Sequence, residues 1–308
     1  MPRRIDSVLL LDKPLGITSN RALQQAKRLL GAAKAGHSGT LDPLASGLLP
    51  VLFGEATKFS RFLLDSDKTY EGDVHLGVST TSGDAEGEVV DRRPVAVSDT
   101  AIEQALTRFR GELMQVPPMH SALKRGGRPL YALAREGTLV AREPRPIVIH
   151  ALQVLGREGN VLRLRVTCSK GTYLRTLAED IGHALGTGAH LAALRRTGAG
   201  PFAISQAVTL ESLAATDAAE RDRLLVPMER LVESLPALHL ERALVGKFLN
   251  GQPVPQGALA LGRCRVYDPG GALLGVGETG AAGVLRPVRL LAQSAGSSQA
   301  AEIPRKSL

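Results

Sequence analysis

The chain has 308 residues, 44% hydrophobic and 22% charged, with a net charge of +8 and a pI near 9.8; at roughly 150 residues per domain this predicts about two globular domains. No apolar run approaches the ~18–20 residues of a bilayer span, Arg3-Arg4 lacks the ~7–15-residue apolar stretch of an export signal, and the final Lys-Ser-Leu is not the peroxisomal Ser-Lys-Leu, so a soluble, cytoplasmic protein is expected. Two distant cysteines, Cys168 and Cys264, exclude a disulfide framework and the usual zinc spacings, and the basic balance favours a polyanionic partner.

Val8–Leu11 is predicted as a strand, followed by a turn at Asp12-Lys-Pro-Leu-Gly16. Ser19 is placed to cap a helix over Asn20–Leu30. Ala22, Ala26, Leu29 and Leu30 form its apolar face, Gly31 ends it, and Arg21, Lys27, Arg28 and Lys34 leave a basic edge. A glycine-rich loop runs from Gly36 to Pro50, and Tyr70–Leu76 reads as a strand. Thr100-Ala-Ile-Glu103 has the form of a capping box on a helix ending at Gly111, with Ile102, Ala105, Leu106 and Phe109 inward. Periodicity is lost over Glu112–Pro146, where Lys124, Arg125, Arg128, Arg135, Arg142 and Arg145 outnumber the acids, as in a basic arm or a solvated loop.

Ile147–Leu155 and Val161–Ser169 read as adjacent strands. In the second, Leu162, Leu164, Val166 and Cys168 share one face, and Arg163, Arg165 and Thr167 the other. Gly171 leads into a helix lined by Leu174, Leu177, Ala178, Ile181 and Leu185. Ala214–Pro236 has the texture of a linker. Beyond it, a helix over Glu241–Asn250 precedes strands at Ala258–Leu261, Arg263–Tyr267, Ala272–Val276 and Val284–Leu291, with a hairpin turn at Asp268-Pro-Gly-Gly271. Residues 236–308 hold eight basic and four acidic residues, half of the net charge in a quarter of the chain. That density suits an accessory RNA-binding module.

Two nucleotide motifs fail. Gly275-Val-Gly-Glu-Thr-Gly280 matches a dinucleotide fingerprint by letters but opens no helix, and Gly31-x4-Gly36-His-Ser lacks the lysine of a phosphate loop. The informative segment is Gly36-His-Ser-Gly-Thr-Leu-Asp-Pro-Leu-Ala-Ser-Gly47. Its small residues allow close approach of a ligand, and Pro43 restricts the backbone at Asp42. Asp42 is the only carboxylate between Asp12 and Glu55. It suits nucleophilic or acid–base work, or equally the closing of an Asx-type turn.

This loop resembles the G-H-x-G-T-L-D-P-x-A-x-G signature of the TruB family of pseudouridine synthases. The resemblance continues through Leu11–Ser19, Leu49–Lys58, Lys68-Thr-Tyr70, Gln115–Lys124, Ser169–Ala178 and Leu194-Arg-Arg-Thr197, in family order over most of the first 200 residues. It implies an α+β fold with a mixed, largely antiparallel central sheet flanked by helices, and a small C-terminal β-rich, PUA-like domain. The implied divisions are a catalytic domain at 1–235 with an RNA-gripping insertion near 112–146, a PUA-like domain at 236–295 and a flexible tail at 296–308.

The reaction implied is conversion of the T-loop uridine at position 55 of tRNA to pseudouridine. The N-glycosidic bond is broken, the base turned and C5 joined to the ribose, without a cofactor or a metal. Asp42 becomes the essential residue, attacking the nucleotide covalently or assisting a proton transfer at the ribose. Tyr70 stacks on the base, and Arg175, in the first turn of its helix, pairs with Asp42 and keeps it ionised and aimed. His37 displaces and stacks on loop nucleotides, Tyr173 stands beside Arg175, and Leu194 lines the uracil pocket. Lys124, Arg125 and Arg128 grip the T-arm. His120 departs from the pattern at a place often aromatic. A monomer without a required protein partner is expected. The other readings are an RNA-guided synthase, a nucleosidase, and a non-catalytic RNA-binding or tRNA-folding protein. Asp42, Tyr70 and Arg175 together argue against the last.

Overall fold

The computed structural model describes residues 1–119, 121, 123–138, 140–255, 261–280 and 282–292, in two compact units divided between Leu231 and Val232. In the first unit, the opening apolar run forms β1 (Ser7–Lys13), with Val8, Leu9, Leu10 and Leu11 all buried. There follow α1 (Ser19–Leu29), β2 (Ala35–His37), β3 (Ala45–Phe53), α2 (Ser60–Asp65), β4 (Lys68–Leu76) and a β5–β6 hairpin (Val78–Thr80, Val89–Arg92). Next come α3 (Asp99–Thr107), β7 (Gly111–Gln115), a β8–β9 hairpin (Lys124–Arg125, Arg128–Pro129), α4 (Leu130–Arg135), β10 (Arg145–Glu158) and β11 (Val161–Cys168). The unit closes with α5 (Leu174–Ala184), β12 (Ala189–Ala199), β13 (Phe202–Ala203), β14 (Val208–Thr209), α6 (Leu210–Ala215) and β15 (Leu225–Pro227).

Its central sheet has eleven strands, ordered β14-β1-β3-β12-β4-β11-β10-β7, with β2, β13 and β15 attached to the flanks. Only β14–β1 and β12–β3 are parallel, so the sheet is mixed and largely antiparallel. The parallel junction of β3 with β12 depends on Gly47 (φ +101°). A Cβ there would lie 2.3 Å from the Arg196 carbonyl oxygen. Two apolar clusters fill the interior. One joins α3 and α5 to β4, β10 and β11, the other joins α1 to β1 and β3, and Tyr70 and Leu194 pack against both. Each fully buried leucine contributes about 1.5–3 kcal/mol.

Several local readings need correction. Thr18, not Ser19, caps α1 by accepting from the Arg21 N–H; Ser19 is drawn instead to Leu41, in the loop that carries Asp42. Ser98, one turn ahead of Glu103, caps α3, and the helix is spent by Arg108. The glycine-rich loop ends at Leu44, because Ala45–Phe53 is a central strand. Glu112–Gln115 pairs with β10, so the irregular arm starts after it. The stretch read as a linker instead holds the last two residues of α6 and the whole of β15, which pairs antiparallel with β1. The expected alternation on β11 is present. Leu162, Leu164, Val166 and Cys168 are buried, and Arg163 and Arg165 face out to Asp73 and Glu71 on β4.

The second unit holds β16 (Ala237–His239), α7 (Arg242–Leu249), β17 (Val254–Pro255), β18 (Gly262–Tyr267), β19 (Leu273–Thr279) and β20 (Val284–Leu290), a PUA-like β domain. Leu238, Leu240, Phe248, Val254, Val266, Leu274 and Leu285 form its core. Cys168 and Cys264 are buried free thiols, and burial pushes the Cys168 thiol up to about 11. Of the strand read at Ala258–Leu261, residues 258–260 lie outside the described residues, as do the tail and His120.

Candidate active site

Asp42 sits between two anchored stretches of backbone. On the near side, the Ser19 hydroxyl donates to the Leu41 carbonyl at 2.9 Å and accepts from the Leu41 N–H at 2.8 Å. On the far side, the Gly16 N–H donates to the Pro43 carbonyl at 2.9 Å and the Ala45 N–H to the Asp42 carbonyl at 3.0 Å. The loop is thus fixed while the carboxylate, 53% exposed, stays open to an incoming ligand.

Arg175, second residue of α5, reaches Asp42. Its Nη2 donates to Asp42 Oδ2 at 3.1 Å, and its Nη1 stands 3.4 Å from Asp84 Oδ2. Arg175 and Asp84 are both buried. The guanidinium therefore forks between one exposed and one buried carboxylate, an arrangement that fixes its plane. Asp84 is itself held by the Ser82 hydroxyl and by the Glu86 N–H at 3.1 Å. The sequence reading passed over Asp84. It lies in a Ser-Gly-Asp turn, a composition that predicts a solvated bend.

Two more cations stand behind the loop. Arg196 is fully buried on β12, donating to the Leu48 carbonyl at 2.7 Å and the Gly39 carbonyl at 3.2 Å. Lys13 is fully buried at the end of β1 and donates to the Pro14 and Ile17 carbonyls. Burial lowers its pKa, against the opposing pull of Asp42. Neither residue was picked out from sequence, since nothing local marks a buried cation.

Tyr70, on β4, is half-buried. Enclosure of its hydroxyl raises the phenol pKa, with Arg196 pulling the other way. Leu194, on β12, is half-buried opposite Gly72. A Cβ on Gly72 would come within 3.4 Å of Leu194 Cδ1, so glycine keeps the strands flush at this point. His37 ends β2 with its Nδ1 buried and, among the described residues, without a hydrogen-bond partner. Burial and the Arg196 charge lower its pKa. Tyr173 caps the start of α5, where Gln115 of β7 donates to its carbonyl at 3.1 Å and accepts from its N–H at 2.8 Å. Burial raises the Tyr173 phenol pKa, and Asp42 and Arg175 both act on it. Asp42 thus pairs with Arg175 and acts electrostatically on Tyr70 and Tyr173. Tyr70 and Leu194 pack against the same clusters, and His37 is joined to the group through the charge of Arg196.

Three consecutive family models cover the chain. The N-terminal domain of the TruB family pseudouridylate synthases matches residues 27–174, the C-terminal domain of tRNA pseudouridylate synthase B matches 175–233, and the pseudouridine synthase II TruB C-terminal domain matches 236–291. The chain is 55% identical over 300 residues to tRNA pseudouridine synthase B of Burkholderia mallei (strain NCTC 10247), covering 95% of this chain and 99% of that one. It is 56% identical over 297 residues to the synthase of Azoarcus sp. (strain BH72), covering 96% and 98%.

The chain belongs to the TruB family of pseudouridine synthases.

It is a tRNA pseudouridine synthase, an isomerase that binds RNA. Among solved structures it resembles a chain of a Cbf5–Nop10–Gar1 complex, at 30% identity, TM-score 0.70 and coverage of 89% of this chain and 78% of that one. It also resembles a chain of an archaeal box H/ACA sRNP Nop10–Cbf5 complex, at 27% identity, TM-score 0.70 and coverage of 92% and 86%.

The remaining expected site residues, Lys124, Arg125 and Arg128, lie on the β8–β9 hairpin of the arm. Arg125 donates to the Ala141 carbonyl and Arg128 pairs with Glu136, both at exposed positions. Among the described residues no cluster of three His, Cys, Asp or Glu side chains could hold a metal ion, and no helix is long and apolar enough to cross a membrane.

Proposed function

We propose that the enzyme converts the T-loop uridine at position 55 of tRNA to pseudouridine, with Asp42 as the catalytic carboxylate. The observation that carries this reading is the Asp42–Arg175–Asp84 fork, which orients one anchored carboxylate that stays open to solvent. The target nucleotide leaves its stack and lays its base on Tyr70, with Leu194 lining the pocket. Asp42 acts at the sugar as the N1–C1′ bond breaks and its electron pair leaves with N1. The freed uracil turns and bonds to C1′ through C5, then loses its C5 proton while N1 takes one up, so that the product is an isomer of the substrate. Arg175 balances and orients the carboxylate throughout. His37, with no partner for its Nδ1 among the described residues, takes a place beside the displaced loop nucleotides, and Tyr173 borders the pocket from the start of α5.

Lys124, Arg125 and Arg128 grip the T-arm backbone, Arg128 exchanging Glu136 for a phosphate. Residues 1–235 carry the chemistry, 236–295 form an accessory RNA-binding domain, and the enzyme works as a cytoplasmic monomer without a guide RNA or protein partner. The 55–56% identity to curated tRNA pseudouridine synthase B chains, well above the 30% to Cbf5, supports this stand-alone reading.

The test uses an unmodified tRNA transcript, carbodiimide labelling and primer extension. A single stop is expected at the T-loop uridine, absent when cytidine replaces it. A stop elsewhere, or a need for an added guide RNA, would refute the reading.

A further inference from the structure

The two faces of α1 differ sharply. Ser19, Ala22, Leu23 and Ala26 face the core. Outward, Arg21, Gln24 and Arg28 follow one another at i, i+3 and i+7, a single line along the helix, with Lys27 beside it. Arg21 and Arg28 are exposed. No acid occurs from Lys13 to Leu41, and among the described residues none of these three cations forms an ion pair.

Three arginines of the sheet behave differently. Arg163 pairs with Asp73, Arg165 with Glu71 and Arg195 with Asp12. Of the elements packed on α1, β2 brings no acid and α6 brings one, the exposed Glu211. The segment after α6 holds Asp217, Glu220 and Asp222 beside Arg221 and Arg223, with Glu220 paired to Arg223 and Asp222 to Arg3. There Arg221 donates to the Leu29 carbonyl at 2.6 Å and otherwise to the carbonyls of Leu213, Ala214 and Thr216. Lys27 and Arg28 are accounted for by the helix dipole, which favours cations in the last turn. Arg21 is not. It stands in the first turn, where the dipole disfavours a cation and no acid offsets it. The stripe is also rigidly joined to the active site, since Ser19, just before it, exchanges hydrogen bonds with Leu41, the neighbour of Asp42.

We propose that the outward face of α1, through Arg21, Lys27 and Arg28, binds the sugar–phosphate backbone of the substrate tRNA beside the modified loop. This contact is separate from the basic arm and the C-terminal domain, and its placement rests on the reading of Asp42 given above. Spanning about 10 Å of helix, the stripe would hold the flanking backbone in register with the cleft.

The test is equilibrium binding of an unmodified tRNA transcript over a range of salt, in an Asp42→Asn background so that the RNA is not converted. The triple variant Arg21→Gln, Lys27→Gln, Arg28→Gln keeps good helix formers on an exposed face. It is expected to flatten the slope of log K against log salt by about 2 and to weaken binding roughly tenfold at 0.1 M salt. Arg93→Gln removes an exposed arginine already paired with Asp91 and should change neither. Unchanged slope and affinity in a triple variant that melts like its parent would overturn the proposal. Should the triple variant melt early, Arg21→Gln carries the test alone, with a slope change of about 1 expected and none contradicting it. The modified uridine is mapped with wild type in the same tRNA. Modification elsewhere then refutes the T-loop reading and leaves the slope comparison standing.

Discussion

The cleft around Asp42 and the basic arm after β7 are built on opposite terms. In the cleft, every charged group is held from several directions: Asp42 by backbone anchors on both flanks, Arg175 between two carboxylates, Asp84 by a hydroxyl and an N–H. In the arm, Arg125 and Arg128 sit exposed on a two-residue hairpin and take partners from the arm itself. Chemistry needs groups aimed before the substrate arrives, whereas gripping a phosphate backbone needs charges that can change partners. Damage to the cleft should therefore cost rate and stability together, and damage to the arm should cost affinity alone.

The largest effect is expected at Arg175. Arg175→Met leaves Asp84 buried without its cation, which should destabilise the fold by about 3 kcal/mol and cut the single-turnover rate at least ~100-fold. Arg175→Lys, unable to fork, should recover stability better than rate. Urea melts and single-turnover assays check both, and a lysine variant with full rate would break the contrast. Next is Tyr70. Tyr70→Leu removes the stacking face and should slow modification about 10- to 100-fold, from the ~1–3 kcal/mol of a base–aromatic stack; Tyr70→Phe should stay much closer to wild type.

In the arm, Lys124→Gln, Arg125→Gln and Arg128→Gln together should weaken tRNA binding and flatten its salt slope by about 2, with the melting temperature unmoved. A lowered melting temperature would mean that these residues build the fold rather than hold RNA. The smallest effect concerns His37, whose native pKa lies below its ordinary value through burial and the Arg196 charge. As pH falls below about 6.5 the unfolded chain takes up this proton before the native one does. Native stability should therefore drop toward acid. His75, shifted the same way, adds a parallel drop, so the measurement is the difference between wild type and His37→Gln in urea melts at neutral and acid pH. Equal drops would remove His37 from the account.

Much of this was readable from sequence where local pattern and tertiary environment agree. The alternation of Leu162, Leu164, Val166 and Cys168 follows from a strand with one apolar face, and Leu174, Leu177, Ala178 and Ile181 mark the inner face of α5. β3 and β12, which carry the middle of the sheet, were not read as strands. β3 begins inside a glycine-rich run, and Ala189–Ala199 is alanine- and arginine-rich without alternation. Their extended form comes from their neighbours, β1, β4 and each other. The site divides in the same way. Asp42 stands out as a lone carboxylate in a loop of small residues, while Asp84, Arg196, Lys13 and Gln115 owe their roles to partners 58 or more positions away or to burial.

The most direct test of the central claim, that one anchored carboxylate performs the chemistry and other residues hold the RNA, compares wild type with Asp42→Asn on the same unmodified tRNA, measuring affinity and single-turnover modification. The account predicts that Asp42→Asn binds within a few-fold of wild type and forms no detectable pseudouridine. Retained modification, or loss of binding in step with loss of activity, would contradict it.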